Sequence, residues 1–175
     1  MSRLLHWRTL AHLTLQAAVL SSLIAAILFM RTPQVFGPSM SPHIAPGEYV
    51  LINTFAYRMS APHRGQIVAF AHDGPRSGAD DGRLFIKRVI GLPGDRIRIE
   101  RGTVFLNGAA LREPYVRFPD DRSFSEVVVP PSSVYVLGDN RADSEDSRFF
   151  GPVADSRLVG RAIAGLWPPS SVGTL

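Results

Sequence analysis

The 175-residue chain contains no cysteine. That excludes a disulfide framework, a zinc–thiolate site and a cysteine nucleophile. It contains one lysine, Lys87, among 19 basic residues. Charged residues are sparse at 19%, against 45% hydrophobic, which is on the apolar side for a soluble protein. The net charge is +4, and the arginines are scattered rather than clustered. A nucleic-acid partner is therefore not expected, because there is no basic stripe to follow a phosphate backbone. A mild positive excess fits proximity to anionic lipid.

Charge is missing altogether from residues 9–30, which hold no Asp, Glu, Lys or Arg. As a helix this stretch spans about 33 Å, enough for a bilayer core of about 30 Å. Its most apolar part, Leu23 to Met30, comes last and runs directly into Arg31. A cleaved leader has a shorter apolar region that ends in a small-x-small site. The expected organisation is a short N-terminal segment over 1–8, a transmembrane helix over 9–30 and a single domain over 31–175. Arg3 and Arg8 precede the helix and Arg31 follows it, which tilts the positive-inside rule toward a cytoplasmic N-terminus. The domain then lies outside the cytoplasm, on a single-pass protein of the inner (plasma) membrane.

The remainder predicts β structure, since apolar runs are short and Pro and Gly are spread through it. Expected strands are Tyr49–Asn53, Gln66–Ala71, Leu84–Gly91, Arg96–Arg101, Thr103–Leu106, Val127–Val129, Val134–Leu137 and Val159–Leu166. Arg96-Ile97-Arg98-Ile99-Glu100 alternates as a half-buried strand does. Asn107-Gly108 is a type I′ turn signal. Loops are expected over 72–83 and from Arg112 to Ser125. The fold class is mainly β: an antiparallel, barrel-like β-domain with one N-terminal transmembrane helix.

Three stretches carry chemistry. In Phe85-Ile86-Lys87-Arg88-Val89-Ile90-Gly91-Leu92-Pro93-Gly94-Asp95, a strand places Phe85, Lys87 and Val89 on one face and Ile86, Arg88 and Ile90 on the other. Burial beside Phe85 and Val89 favours a neutral amine. In Gly37-Pro38-Ser39-Met40-Ser41-Pro42, flanking prolines forbid a regular helix and hold Ser39 on a rigid turn. A Pro-rich linker has the same composition. The third stretch, Gly138-Asp139-Asn140-Arg141-Ala142-Asp143-Ser144-Glu145-Asp146-Ser147-Arg148, is a loop of alternating charge and hydroxyl groups. It fails the EF-hand pattern, with Arg141 at the third position and Ser144 at the sixth. Ion pairs that stiffen the loop fit better than a metal.

Taken together, these stretches resemble the signal peptidase I family of membrane-bound serine endopeptidases. Gly37-Pro38-Ser39-Met40-x-Pro is similar to the family's nucleophile box, and Arg64-Gly65-Gln66-Ile67-Val68-Ala69-Phe70 to the next. Lys87 to Asp95 matches its lysine box, and Gly138 to Arg148 its last box. The resemblance implies that Ser39 is the nucleophile and Lys87 its general base. It gives Ser144 the hydroxyl that orients the amine, Asp146 and Arg148 a supporting ion pair, and Asp139 and Arg141 as neighbours. Met40 packs beside the site. It implies no metal and no cofactor, and exported preproteins as substrates, cut after a small-x-small site through an acyl-enzyme. Gly37 departs from members with a serine there that helps hold the oxyanion. Ala142 and His43 are further departures.

Two other functions fit the same features. One is a dedicated maturation peptidase of the same family, acting on a single conjugation or pilin-like substrate. The other is a non-catalytic, membrane-anchored β binding module of a secretion system. Phe36, Met40, Phe149, Phe150 and Trp167 are the expected apolar rim of the domain, in contact with membrane lipid.

Overall fold

The computed structural model describes residues 2–71 and 84–175, without the side chains of residues 2–6, 8–11 and 25–27. The loop expected over 72–83 lies outside the described residues. The chain divides into two units, Met1–Met30 and Arg31–Leu175. The first is the helix α1 (Ser2–Phe29). Among the described residues no helix is long and apolar enough to cross a membrane.

The second unit is mainly β. After the two-residue β1 (Met30–Arg31) the strands are β2 (Tyr49–Asn53), β3 (Ile67–Ala71), β4 (Leu84–Gly91), β5 (Arg96–Glu100) and β6 (Thr103–Leu106). They continue with β7 (Ala109–Ala110), β8 (Phe124–Val128), β9 (Ser133–Leu137), β10 (Val153–Ala154), β11 (Leu158–Trp167) and β12 (Gly173–Thr174). Two four-residue helices, α2 (Ala56–Met59) and α3 (Ser147–Phe150), interrupt them.

The strands form two antiparallel sheets. The larger runs β2-β11-β3-β4-β9-β10, with β12 also on β11, and the smaller runs β7-β6-β5-β8. The larger order has two ends, so among the described residues the expected barrel-like domain is a sheet curled into a half-barrel and not a closed barrel. Register shifts interrupt the pairings of β11 with β2 and β3, and of β4 with β9. Each bulge adds local bend and twist, which lets an open sheet wrap a core.

The smaller sheet follows its sequence pattern directly. Ile97 and Ile99 turn inward onto Val104, Val129 and Tyr135, while Arg96 and Glu100 face solvent. Asn107 and Gly108 both have positive φ, 51° and 86°, in a two-residue turn that pairs Leu106 with Ala109. That is the backbone of a type I′ hairpin, which asparagine and glycine tolerate best.

β4 behaves differently, being buried from Ile86 to Gly91. It is hydrogen-bonded to β3 on one edge and β9 on the other. Apolar clusters cover both of its faces: Val89 packs with Val68, Phe70 and Val136, Ile86 with Met40 and Ile44, and Ile90 with Ile97 and Leu137. Phe36, Phe149 and Trp167 are exposed, but Met40 belongs to the core and not to an apolar rim. Its side chain is long enough to reach back from the turn into the cluster under β2.

Candidate active site

Lys87 comes from the middle of β4, opposite Val68 on β3. The face of the strand that carries Lys87 and Val89 is covered by the cluster of Val68, Phe70 and Val136, and the residue is 3% exposed. Its Nζ donates to Ser39 Oγ at 2.7 Å and lies 5.4 Å from the centroid of the Phe85 ring. Burial lowers the amine from its ordinary value to about 8, because desolvation penalises the charged form. Asp146, Glu145 and Asp139 pull it back upward, and Arg148 pushes it down.

Ser39 sits on a turn closed by hydrogen bonds from Ser41 N–H to Pro38 O and from Ile44 N–H to Met40 O, both 2.9 Å. Met40 and Ile44 drive into the cluster of Val50, Ile52, Ile67 and Ile86. Full burial of a side chain of this size stabilises by roughly 1.5–3 kcal/mol, so the turn is anchored just after the serine. A second hold comes from the far loop. Asn140 N–H donates to Ser39 O at 3.0 Å, and Asn140 Nδ2 donates to Pro38 O at 3.2 Å. Gly138 permits this approach, since a Cβ there would overlap both Ser39 O and Ser144 Oγ.

The loop from Gly138 to Arg148 is organised around the buried carboxylate of Asp146. Its Oδ2 accepts from Ser144 Oγ at 2.8 Å and from Gly138 N–H at 3.0 Å. Arg148 Nε donates to Oδ1 at 2.8 Å, and Arg148 Nη2 to Oδ2 at 2.9 Å. The same carboxylate caps α3 by accepting from Arg148 N–H. Ser144 therefore stands beside the Ser39 turn with its own hydrogen bond directed to Asp146. Among the described residues, the hydrogen bond of the lysine amine runs to Ser39.

Asp139 and Arg141 lie in this loop but do not pair with each other. Asp139 takes a two-point bond from Arg88, with Nε and Nη2 at 2.8 and 2.6 Å. Arg141 forks onto Glu113 at 2.9 and 2.5 Å. Arg88, Glu113, Asn140 and Asp120 are the residues that sequence reasoning missed. A usable signal existed for Arg88 only. Alternation places it with Ile86 and Ile90 on a buried face, and a buried arginine requires a counter-ion.

The arrangement can move one proton: a hydroxyl at hydrogen-bond distance from an amine that is neutral in useful amount near neutral pH. Among the described residues no group of three or more metal-ligating side chains comes together.

The family model described as "Signal peptidase, peptidase S26" matches residues 7–167. The chain belongs to the signal peptidase family, peptidase S26. A probable signal peptidase I-2 from Synechocystis sp. is 39% identical over 137 residues, covering 78% of this chain and 63% of the relative. The chain thus spans less than two thirds of that relative's length. Signal peptidase I of Leptolyngbya laminosa is 36% identical, over 78% of this chain and 68% of its own. A crystal structure of a signal peptidase I from Enterococcus faecalis is 31% identical at a TM-score of 0.46, covering 58% of this chain and 97% of that one. In this family member, the four sequence boxes converge on one corner of the larger sheet. Arg64 Nη2 bonds Asp95 Oδ2 at 2.9 Å, which ties the second box to the third.

Proposed function

We propose that the protein is a serine endopeptidase that removes signal peptides from exported preproteins after a small-x-small site. The observation that carries this reading is the 2.7 Å contact from the buried amine of Lys87 to Ser39 Oγ. Neutral Lys87 takes the hydroxyl proton as Ser39 Oγ bonds to the scissile carbonyl carbon. The C–N bond breaks, and the lysine ammonium gives its proton to the departing amine of the mature protein. The signal peptide remains as an ester on Ser39. Lys87 then takes a proton from water, the hydroxide bonds to the ester carbon, the bond from that carbon to Ser39 Oγ breaks to release the signal peptide with a free carboxyl group, and the ammonium returns the proton to Ser39 Oγ.

The other groups have supporting roles. Ser144 has committed its own proton to Asp146 and offers a lone pair to orient the amine. Asp146 and Arg148 hold the loop, and Met40 anchors the turn. With glycine at position 37, the Ser39 backbone N–H serves as an oxyanion donor. Residues 9–30, free of charged side chains, anchor the protein in the plasma membrane with 1–8 cytoplasmic. The domain 31–175 acts outside, against membrane lipid and the preprotein.

The test is cleavage of several unrelated preproteins by the purified full chain in detergent. Cleavage after Ala-x-Ala sites, lost in Ser39→Ala, is the expected result. Undiminished cleavage by Ser39→Ala overturns the reading, and cleavage of one substrate alone narrows it to a dedicated maturation peptidase.

A further inference from the structure

The segment from Arg112 to Ser125 reads in the sequence as a loop, yet the side chains of two of its acids are withdrawn from water. The Glu113 side chain is 9% exposed and that of Asp120 is 8%. Both point into the loop from Gly138 to Arg148. Glu113 forks onto Arg141. Between them Phe118 bridges Asn140 as a parallel β-bridge, and Ala142 N–H donates to Phe118 O at 3.2 Å. Asp120 Oδ2 accepts from Arg148 Nη1 at 2.7 Å, while Arg148 spends its Nε and Nη2 on Asp146. The Arg148 side chain is 2% exposed, so it is shared between two carboxylates with no water to substitute for either.

The opposite side of Asp120 rests on the smaller sheet. Gly102 lies in the turn between β5 and β6 with φ +78°, and a Cβ there would overlap the Asp120 carbonyl oxygen. Gly102 N–H donates to Arg122 O at 3.1 Å. Arg122 Nε closes onto the Asp120 carboxylate at 2.9 and 2.7 Å. Asp120 is thus held from behind by a glycine turn, and its carboxylate is shared between the half-exposed Arg122 and the buried side chain of Arg148.

We propose that Asp120 is a positioning residue for the Ser39–Lys87 pair, acting through Arg148 and Asp146 from a strap seated on Gly102. The physical reason is a series of fixed contacts. Asp120 fixes Arg148, Arg148 fixes Asp146, and Asp146 fixes Ser144 and Gly138 against the nucleophile turn. A carboxylate shift at one end relaxes the geometry at the other, and small misplacements of reacting groups are costly in rate. This inference rests on the serine peptidase reading above.

The experiment uses the full chain in detergent and a fluorogenic peptide with Ala-x-Ala before the scissile bond. Asp120→Asn keeps the shape and removes the charge. It is expected to lower kcat about tenfold while KM stays within about twofold, the pattern of a lost transition-state interaction. Asp120→Glu is expected to recover most of that loss, and the exposed neighbour Asp121→Asn to leave kcat unchanged. Gly102→Ala, which displaces the strap and keeps the carboxylate, is expected to reproduce the kcat loss and keeps the test open should Asp120→Asn fail to fold. Combined with Arg148→Lys, Asp120→Asn is expected to add no further loss, because the two act in series. A kcat within about twofold of wild type for Asp120→Asn, or a loss that multiplies with that of Arg148→Lys, overturns the inference. If wild type cleaves, Ser39→Ala does not and Asp120→Asn matches wild type, this inference alone falls. If Ser39→Ala still cleaves, the serine reading falls with it.

Discussion

Charges in the smaller sheet and charges around the candidate site are built from the same residue types and do different things. On the smaller sheet Arg96 meets Glu126 with side chains 62% and 37% exposed, and Arg98 meets Glu100 on the surface. Such pairs are solvated and screened, and contribute about 0–1 kcal/mol. At the corner of the larger sheet Arg88, Arg141 and Arg148 are withdrawn from water and matched to Asp139, Glu113 and the pair Asp146 and Asp120. There a missing partner leaves a buried charge alone, so position is enforced by electrostatics. Lys87 is the exception in that corner: among the described residues it forms no ion pair and meets a hydroxyl instead. Arginine stays charged at any accessible pH, whereas lysine shifts its pKa readily when buried. Among the described residues the corner therefore keeps the buried guanidiniums of Arg88, Arg141 and Arg148 in ion pairs and the adjustable amine of Lys87 outside them.

The largest expected effect comes from erasing that exception. Lys87→Arg keeps charge and bulk but cannot act as a base, so preprotein cleavage is expected to fall at least ~10³-fold, as far as in Lys87→Ala. Initial rates from pH 6 to 10 check it, and near wild-type cleavage by Lys87→Arg would reduce Lys87 to a structural cation.

Next comes a broken pair inside the corner. Asp139→Ala leaves Arg88 buried without its two-point partner and is expected to cost about 3–5 kcal/mol in urea unfolding. A loss below 1 kcal/mol would place this pair with the surface ones.

The third expectation concerns pH. The folded-state pKa of Lys87, about 8, lies below its ordinary 10.5. Below pH 8 the amine is charged in both states, and the fold carries the whole net cost of burying that charge among its neighbours, about 3 kcal/mol. Between those two values the unfolded chain binds more protons, so stability rises with pH and the cost is gone above 10.5. Cleavage is expected to rise through about pH 8 for the same reason. Lys87→Met should remove this part of the slope in urea midpoints between pH 7 and 10, and an unchanged slope would assign it to another group.

The smallest effect is expected on the exposed side of the comparison. Arg96→Ala, which removes the surface pair with Glu126, should change stability by less than about 1 kcal/mol and leave cleavage alone. A larger loss would show that the smaller sheet also uses charge to hold its shape.

The legibility of the sequence follows the range of the interactions. The strand over Arg96–Glu100 and the Asn107-Gly108 hairpin were readable because alternation and turn chemistry act between neighbours. The strand carrying Lys87 was readable with the same bounds, Leu84–Gly91. The partners of the charged loop were not. Asp139 and Arg141, neighbours in sequence, turn to Arg88 and Glu113, which are 51 and 28 positions away. The segment after Arg112 carried no strand or helix pattern, so nothing local indicated that the side chains of Glu113 and Asp120 are withdrawn from water.

By itself, then, the sequence determined most of the longer strands, the hairpin and the residue types that chemistry needs, because each depends on the preferences of a few adjacent residues; β8, which begins at Phe124 inside the expected loop, and the two-residue strands it did not. Only the tertiary structure decided which of those residues meet. The 2.7 Å approach of Lys87 to Ser39 across 48 positions and the burial that lowers the amine to about 8 exist only once the sheet is assembled. A pKa and a proton-transfer distance are properties of what surrounds a group, and the fold supplies those surroundings.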